Sequence, residues 1–228
     1  MIRSESYKLD ISKYVYNSIN GSTYDIANLV YYLYNDKYVV ARIKNKLWYH
    51  YDGMKWKATE IGPYYELSSD VVKIYENYIE IENENKEKIM SDSLNCETEH
   101  ERSNLKNALD KLNSIIGKMQ DIIKKLKNVN IKEQICKECL YLFYDPDFLH
   151  KLDKNFYLVC FQNGVLDLNS NEFRQGNPDD LLSIMIEKDF LYPRTMNEKK
   201  DMTKIIDEFN NHRVKVINKR KSKVNFAI

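Results

Sequence analysis

Residues 161–168 read Phe-Gln-Asn-Gly-Val-Leu-Asp-Leu, and residues 171–180 read Asn-Glu-Phe-Arg-Gln-Gly-Asn-Pro-Asp-Asp. An Asn-Gly dipeptide between two apolar runs predicts a tight turn that joins antiparallel strands. Pro178 before two aspartates is typical of the first turn of a short helix. The stretch therefore predicts strands at 156–161, 165–168 and 172–174, a helix or turn from Pro178, and a last strand at 183–188.

A second β-element is predicted upstream, where Asp52-Gly53 separates two aromatic-rich runs, 47–51 and 54–58, after a strand at 38–43. Asp-Gly in this setting predicts a two-residue type I′ turn. The side chains that make this hairpin aromatic and basic include Trp48, Lys55 and Trp56. Its tryptophans are either cross-strand core partners or a platform on which single-stranded bases stack.

Helices are predicted at 22–34, 66–89, 98–126 and 131–142. Thr98 and Glu101 form a capping-box pattern at the start of the third helix. Its apolar side chains then repeat every four and three residues, at Leu105, Leu109, Leu112, Ile116, Met119, Ile123 and Leu126. This spacing predicts either an intramolecular pair with the helix at 66–89 or a seam between two copies of the chain.

These elements predict an α+β fold, a mostly helical domain with small antiparallel β-hairpins and a long helical hairpin. We expect an N-terminal extension at 1–20, the domain itself at 21–192 and a basic C-terminal tail at 193–228. Residues 199–228 hold nine Lys or Arg and three acidic residues, with one predicted helix at 202–209. The tail is either a phosphate-binding segment, through Arg213, Lys219, Arg220 and Lys221, or a disordered end.

The sequence lacks the patterns of common catalytic sites. Among six glycines only Gly117 precedes a lysine, and no phosphate-binding loop G-x-x-x-x-G-K-[ST] occurs. Asp145 and Asp147 alternate like the paired aspartates of primase metal sites, but Pro146 between them disfavours a strand and favours a helix start. Cys136 and Cys139 lack the second pair that a zinc site needs. The sequence therefore predicts no catalytic residue, no metal and no cofactor.

The stretch from Asn163 to Asp180 resembles a signature, Asn-Gly-Val-x-Asp-Leu … Phe-Arg-x-Gly-x-Pro-x-Asp, of one viral domain. This is the domain ahead of the superfamily 3 helicase in poxvirus-type and giant-virus primase–helicases. Two further elements precede it in the family's order, Trp-x-x-Tyr-Asp-Gly-x-x-Trp at 48–56 and Phe-x-x-x-Leu-Asp at 148–153. By this resemblance the fold-defining positions are Asn163, Gly164, Asp167, Arg174 and Asp180.

Asp167 and Arg174 are expected to pair across the second hairpin, unless Arg174 meets a phosphate or a neighbouring subunit instead. The resemblance implies a non-catalytic role in a viral DNA-replication primase–helicase, through DNA positioning and subunit contacts in the collar of a hexameric ring. The implied partners are helicase or primase domains or subunits, further copies of the chain, and DNA.

The alternative function is a stand-alone single-stranded nucleic-acid-binding or regulatory module. The family's Walker A loop would follow Tyr192 after further helices, so a split or truncated helicase is also expected. The sequence has no apolar run long enough for a membrane span and no signal peptide. We therefore expect an intracellular, cytoplasmic protein at the viral replication site.

Overall fold

A computed structural model describes residues 5–93 and 98–225, with side chains described from 11 to 91 and from 98 to 220. The chain divides into two compact units, each built from two separate segments. The helical unit comprises residues 1–35 and 61–143, and the sheet unit comprises residues 36–60 and 144–228. The predicted α+β class, mostly helical with small antiparallel sheets, is confirmed.

The helical unit contains six helices in its described residues, α1 (Glu5–Ser18), α2 (Thr23–Tyr34), α3 (Tyr64–Ser68), α4 (Asp70–Ser93), α5 (Glu99–Leu126) and α6 (Val129–Leu142). Helix α4 packs along α5, and α2 packs against α1 and α6. The helix predicted at 66–89 is therefore two helices. They are separated at Ser69, whose backbone leaves the helical region and whose hydroxyl donates to the carbonyl of Tyr65 instead.

Helix α5 forms the predicted intramolecular pair with α4, and its heptad residues are buried or half-buried. The side chains of Ile116, Met119 and Leu126 are buried, whereas Leu105, Leu109 and Leu112 are half-buried towards the free end of the hairpin. The capping box is also present, because Thr98 Oγ1 accepts from the amide of Glu101 at 3.3 Å and Glu101 Oε2 accepts from the amide of Thr98 at 3.2 Å. Local sequence thus sets both the start and the buried face of this helix.

The sheet unit contains two antiparallel three-stranded sheets. The first has β1 (Tyr38–Arg42), β2 (Leu47–Tyr51) and β3 (Trp56–Thr59), and the second has β4 (Leu158–Phe161), β5 (Gly164–Asp167) and β6 (Glu172–Arg174). A short helix, α7 (Phe148–Lys151), a 3-10 turn (Pro178–Asp180) and a 30-residue helix, α8 (Met196–Asn225), complete the unit.

The predicted two-residue turn at Asp52-Gly53 is wrong. Tyr51 pairs with Trp56, so the loop holds four residues. The carboxylate of Asp52 accepts from the amides of Met54 and Lys55, both at 2.9 Å, and the amide of Asp52 donates to the carbonyl of Lys55. An aspartate that satisfies the loop amides in this way makes a longer connection as favourable as the primed turn.

Three further sequence-based expectations are corrected. Residues 183–188 form no strand, since only an isolated bridge joins Ile186 to Phe161. The helix expected at 202–209 is α8, which is 30 residues long. Its inner face uses Met202, Phe209 and Ile217, with Arg213 taking a buried position among them. Finally, Pro146 lies in a turn ahead of α7, because the helix begins only at Phe148.

Candidate functional site

The turn between β4 and β5 is fastened to a distant segment by the side chain of Asn163. Its Oδ1 accepts from the amide of Phe190 at 2.8 Å, and its Nδ2 donates to the carbonyl of the same residue at 3.1 Å. The Asn163 side chain thus both accepts from and donates to the backbone of one residue, as a neighbouring strand of an antiparallel sheet would. The phenyl ring of Phe190 is thereby fixed in the core between Phe161 and Phe173.

Gly164 begins β5 where the chain passes close to β6. A Cβ at this position would lie 2.6 Å from the ring carbon Cζ of Phe173 and 2.7 Å from the carbonyl oxygen of Arg174. Contacts this short do not occur with real Cβ atoms, so any side chain would push β6 away. The glycine of the signature is therefore required by packing across the sheet.

Arg174 and Asp180 form a bidentate ion pair. Arg174 Nη2 lies 2.6 Å from Oδ1 of Asp180, and Nη1 lies 2.8 Å from Oδ2. Oδ2 also accepts from the amide of Asn177 at 2.9 Å, so the same carboxylate caps the 3-10 turn. The hydrogen bonds to Asp180 raise the pKa of Arg174. The pair locks β6 to the turn after it.

The expected pair between Asp167 and Arg174 is wrong. The register of β5 and β6 places Asp167 opposite Glu172 and places Arg174 opposite Val165, so the two charged side chains are not cross-strand neighbours. Asp167 Oδ1 instead accepts from the amide of Asn169 at 2.8 Å and shapes the turn between the strands. All five signature positions thus have local structural partners.

Asp153 is the centre of a buried polar cluster that sequence reasoning missed. Its side chain is 1% exposed, and its carboxylate accepts from the amide of Ser183 at 2.7 Å, from the hydroxyl of Ser183 at 2.5 Å and from Arg220 Nη1 at 2.6 Å. Arg220 Nη2 also contacts the Ser183 hydroxyl. The only signal in the sequence was the place of Asp153 at the end of the Phe-x-x-x-Leu-Asp element.

Arg213 is buried in the sheet unit, although it was predicted to bind nucleic acid. Its side chain is fully buried, and its two terminal nitrogens donate to the carbonyls of Asn155 at 2.7 Å and Leu158 at 2.6 Å. The guanidinium also lies over the ring of Phe209, and burial lowers its pKa. Arg213 therefore binds the chain that leads into β4, and its side chain is not exposed to solvent.

The other predicted nucleic-acid contacts do not form one surface. Trp48 and Trp56 are buried, and the indole nitrogen of Trp56 donates to the carbonyl of Pro178 at 2.8 Å. Both tryptophans are therefore core residues, but they are not cross-strand partners, because Trp48 pairs with Thr59 and Trp56 pairs with Tyr51. Arg220 is held by Asp153, Lys55 is half-buried and Lys219 is exposed, while the side chain of Lys221 lies outside the described residues.

An open groove of about 770 Å³ borders the start of α8. Its walls include Leu191, Tyr192, Met202 and Ile205, with Glu198 and Asp201 at the polar edge. Glu198 Oε2 accepts from the amides of Arg194 and Thr195 and so caps the helix. Leu191 is 74% exposed and Tyr192 is 62% exposed, so two adjacent large apolar side chains are presented beside the groove.

Neither a membrane-spanning helix nor a cluster of metal ligands is present among the described residues. None of the helices with described residues is both long enough and apolar enough to cross a membrane. Within the same part of the chain, no three side chains among His, Cys, Asp and Glu are grouped as a metal ion requires.

The chain is similar to two known viral proteins. The chain is 34% identical over 180 residues to "Putative helicase L207/L206" of Acanthamoeba polyphaga mimivirus, which covers 79% of this chain and 17% of that protein. It is 24% identical over 192 residues to "Putative helicase 022R" of Frog virus 3 (isolate Goorha), with 75% and 19% covered. The chain thus spans less than a fifth of the length of these two relatives.

A match to a described protein family covers most of the chain. The D5 N terminal like family aligns with residues 27–212. The aligned region includes the Asn163 clamp, the close approach at Gly164 and the Arg174–Asp180 pair, and the resemblance seen in residues 163–180 is confirmed. The chain is a member of the D5 N terminal like family and is related to viral proteins named as helicases.

Proposed function

We propose that this chain is a non-catalytic domain of a viral DNA-replication primase–helicase, where it joins copies into the collar of a hexameric ring and positions DNA. The observation that carries the proposal is the family match over residues 27–212, and the similarity to far longer viral proteins named as helicases agrees with it. Since the sequence lacks a phosphate-binding loop, ATP hydrolysis in such an assembly is expected from other residues.

The groove at the start of α8 supports the oligomerisation part of the proposal. Leu191, Tyr192 and Met196 expose 74%, 62% and 70% of their surface within six residues of chain. Exposed apolar side chains that are grouped beside a groove mark surfaces that another protein covers. We propose a second copy of the chain as the occupant, since a ring repeats one interface between identical neighbours.

Sedimentation velocity over a wide range of chain concentration tests this part. We expect concentration-dependent association that the double substitution Leu191→Ser with Tyr192→Ser abolishes. Tyr141→Ser is the matched control, because Tyr141 is 67% exposed on α6 and lies outside the groove. A chain that stays monomeric at every concentration, with and without single-stranded DNA, would overturn the oligomerisation part of the proposal.

The DNA part of the proposal is tested separately by the anisotropy of a fluorescent single-stranded oligonucleotide. We expect binding that weakens as salt is added. We propose that the chain acts inside the infected cell, together with helicase or primase domains. Co-purification with the remainder of the mimivirus relative tests that partnership. Salt-sensitive DNA binding without such a partner would favour the stand-alone nucleic-acid-binding module instead.

A further inference from the structure

The loop between β1 and β2 carries an uncompensated cluster of positive charge. Arg42 ends β1, and Lys44 and Lys46 are exposed on the loop at residues 43–46. Residues 37–51 contain no Asp or Glu at all. None of these three cations forms an ion pair with any residue that the structure describes. Within the described residues, this region therefore presents three positive charges without an ion-pair partner.

Lys46 occupies a backbone conformation that does not favour lysine. Its φ is +48°, in the left-handed region where glycine or asparagine fits at lower cost. The amide of Lys46 donates to the carbonyl of Ile43 and closes the loop. Residues in this sparsely populated conformation cluster at functional sites, and Lys46 lies on the surface close to the exposed Lys44.

The surroundings of the loop in the sheet unit are also poor in negative charge. Burial raises the pKa of Tyr49, and the positive charges of Arg220 and Arg42 both oppose this rise. The nearby carboxylate, Asp153, is already paired with Arg220. Residues 209–228 contain no acid. Strand register brings one acid close, since Glu60 follows Thr59, the partner of Trp48.

We propose that the β1–β2 loop, through Arg42, Lys44 and Lys46, binds the phosphate backbone of single-stranded DNA. This inference rests on the DNA part of the proposed function and gives it a location different from the aromatic hairpin. Three cations on one short loop suit a polyanion, because each phosphate that a cation neutralises releases a counterion. The contacts are to phosphates, so the loop positions the strand without reading its sequence.

The test is the double substitution Lys44→Gln with Lys46→Gly in the full chain. Lys46→Gly suits the left-handed backbone, so the urea midpoint is expected to stay unchanged or to rise. The anisotropy of a labelled oligothymidine is then measured at several salt concentrations. Removing two phosphate contacts should reduce the slope of log K against log[salt] by about 1.4 and weaken binding on the order of tenfold.

Two matched variants separate the loop from the net charge of the protein. Lys111→Gln with Lys118→Gln removes two exposed lysines from α5 and should leave both the affinity and the salt slope unchanged. Glu60→Gln removes the acid next to the loop and should tighten binding. An equal loss in the α5 variant, or full affinity and slope in the loop variant, would overturn the loop site alone. A wild-type chain that does not bind DNA would overturn the DNA part of the proposed function as well.

Discussion

Arg220 Nη1 lies 2.6 Å from a carboxylate oxygen of Asp153, and 67 residues of chain separate the two. The carboxylate is 1% exposed and the guanidinium side chain is 22% exposed. Together with Arg213, which donates to the carbonyls of Asn155 and Leu158, this pair fastens the second half of α8 to the segment before β4. The helix is therefore part of the sheet unit along most of its length.

Arg220→Met should destabilise the chain by about 3 kcal/mol, because a buried carboxylate loses its cationic partner while keeping its desolvation cost. Asp153→Asn in the same chain should recover part of that loss. Urea unfolding of the four members of this double-mutant cycle is the measurement. Lys215→Met, on an exposed position of the same helix, is the control and should change little. Equal midpoints for Arg220→Met and Lys215→Met would contradict the prediction.

Gly164→Ala should cost about 1–3 kcal/mol, because the new methyl group would overlap the ring of Phe173 and the carbonyl of Arg174. Gly117→Ala is the natural control. Nothing lies within 4 Å of a Cβ at Gly117, which is inside α5. That substitution should stabilise the chain by about 0.5–1 kcal/mol through helix propensity. Thermal unfolding of both variants should therefore shift in opposite directions.

Arg174→Lys should destabilise the chain by about 1 kcal/mol, although the charge is kept. An ammonium group cannot reproduce the two parallel hydrogen bonds that the guanidinium makes with Asp180. The exposed Arg194 provides the control, since its replacement by lysine removes no side-chain ion pair in the described chain. Chemical denaturation of the two variants makes the comparison. An equal change in the free energy of unfolding for both substitutions would contradict a role for the two parallel hydrogen bonds between Arg174 and Asp180.

Stability should fall at alkaline pH, in part through Cys160. Burial raises the pKa of this thiol from 9.0 to about 11, so the folded chain holds the proton more tightly than the unfolded chain. Its contribution is present in full below pH 9 and is lost as the pH rises towards 11, amounting to about 3 kcal/mol at most. Urea midpoints measured from neutral pH upwards should show the fall. Cys160→Ala should make the fall shallower, and an unchanged profile would contradict this assignment.

Much of the fold could be predicted from sequence where the determinants are local. The capping box at Thr98, the heptad face of α5 and the Asn-Gly turn depend on neighbours within a few residues. The length of helix α8 was underestimated because Arg213 occupies a core position. The burial of Arg213 depends on carbonyls that lie 55 and 58 residues away. The partner of Arg174 was mistaken for the same reason, since a shift in strand register decides which charges meet.

The sequence also did not show which of the predicted nucleic-acid-binding residues are buried. Trp48 and Trp56 have the aromatic and basic neighbours of a stacking platform, yet both rings are buried, on opposite faces of the first sheet. Lys44 and Lys46, two exposed cations without an ion-pair partner among the described residues, lie on the preceding loop, where the sequence shows two lysines around an asparagine. The two hairpins differ in the burial of their side chains and in their backbone conformation, and composition reveals neither.

The two units interleave along the chain, so the ribosome makes one part of the sheet unit before the helical unit is finished and the other part after it. Strands β1–β3 emerge from the ribosome early, but the remainder of their unit is encoded after residue 143. The helical unit can complete itself first, since all its segments precede that point. The early strands must then wait, with unpaired edges and exposed aromatic side chains, for more than 80 residues of helical chain to be made. A nascent chain halted shortly after Phe143 is therefore expected to be resistant to protease in its helices and sensitive near Trp48, and to be prone to aggregation there.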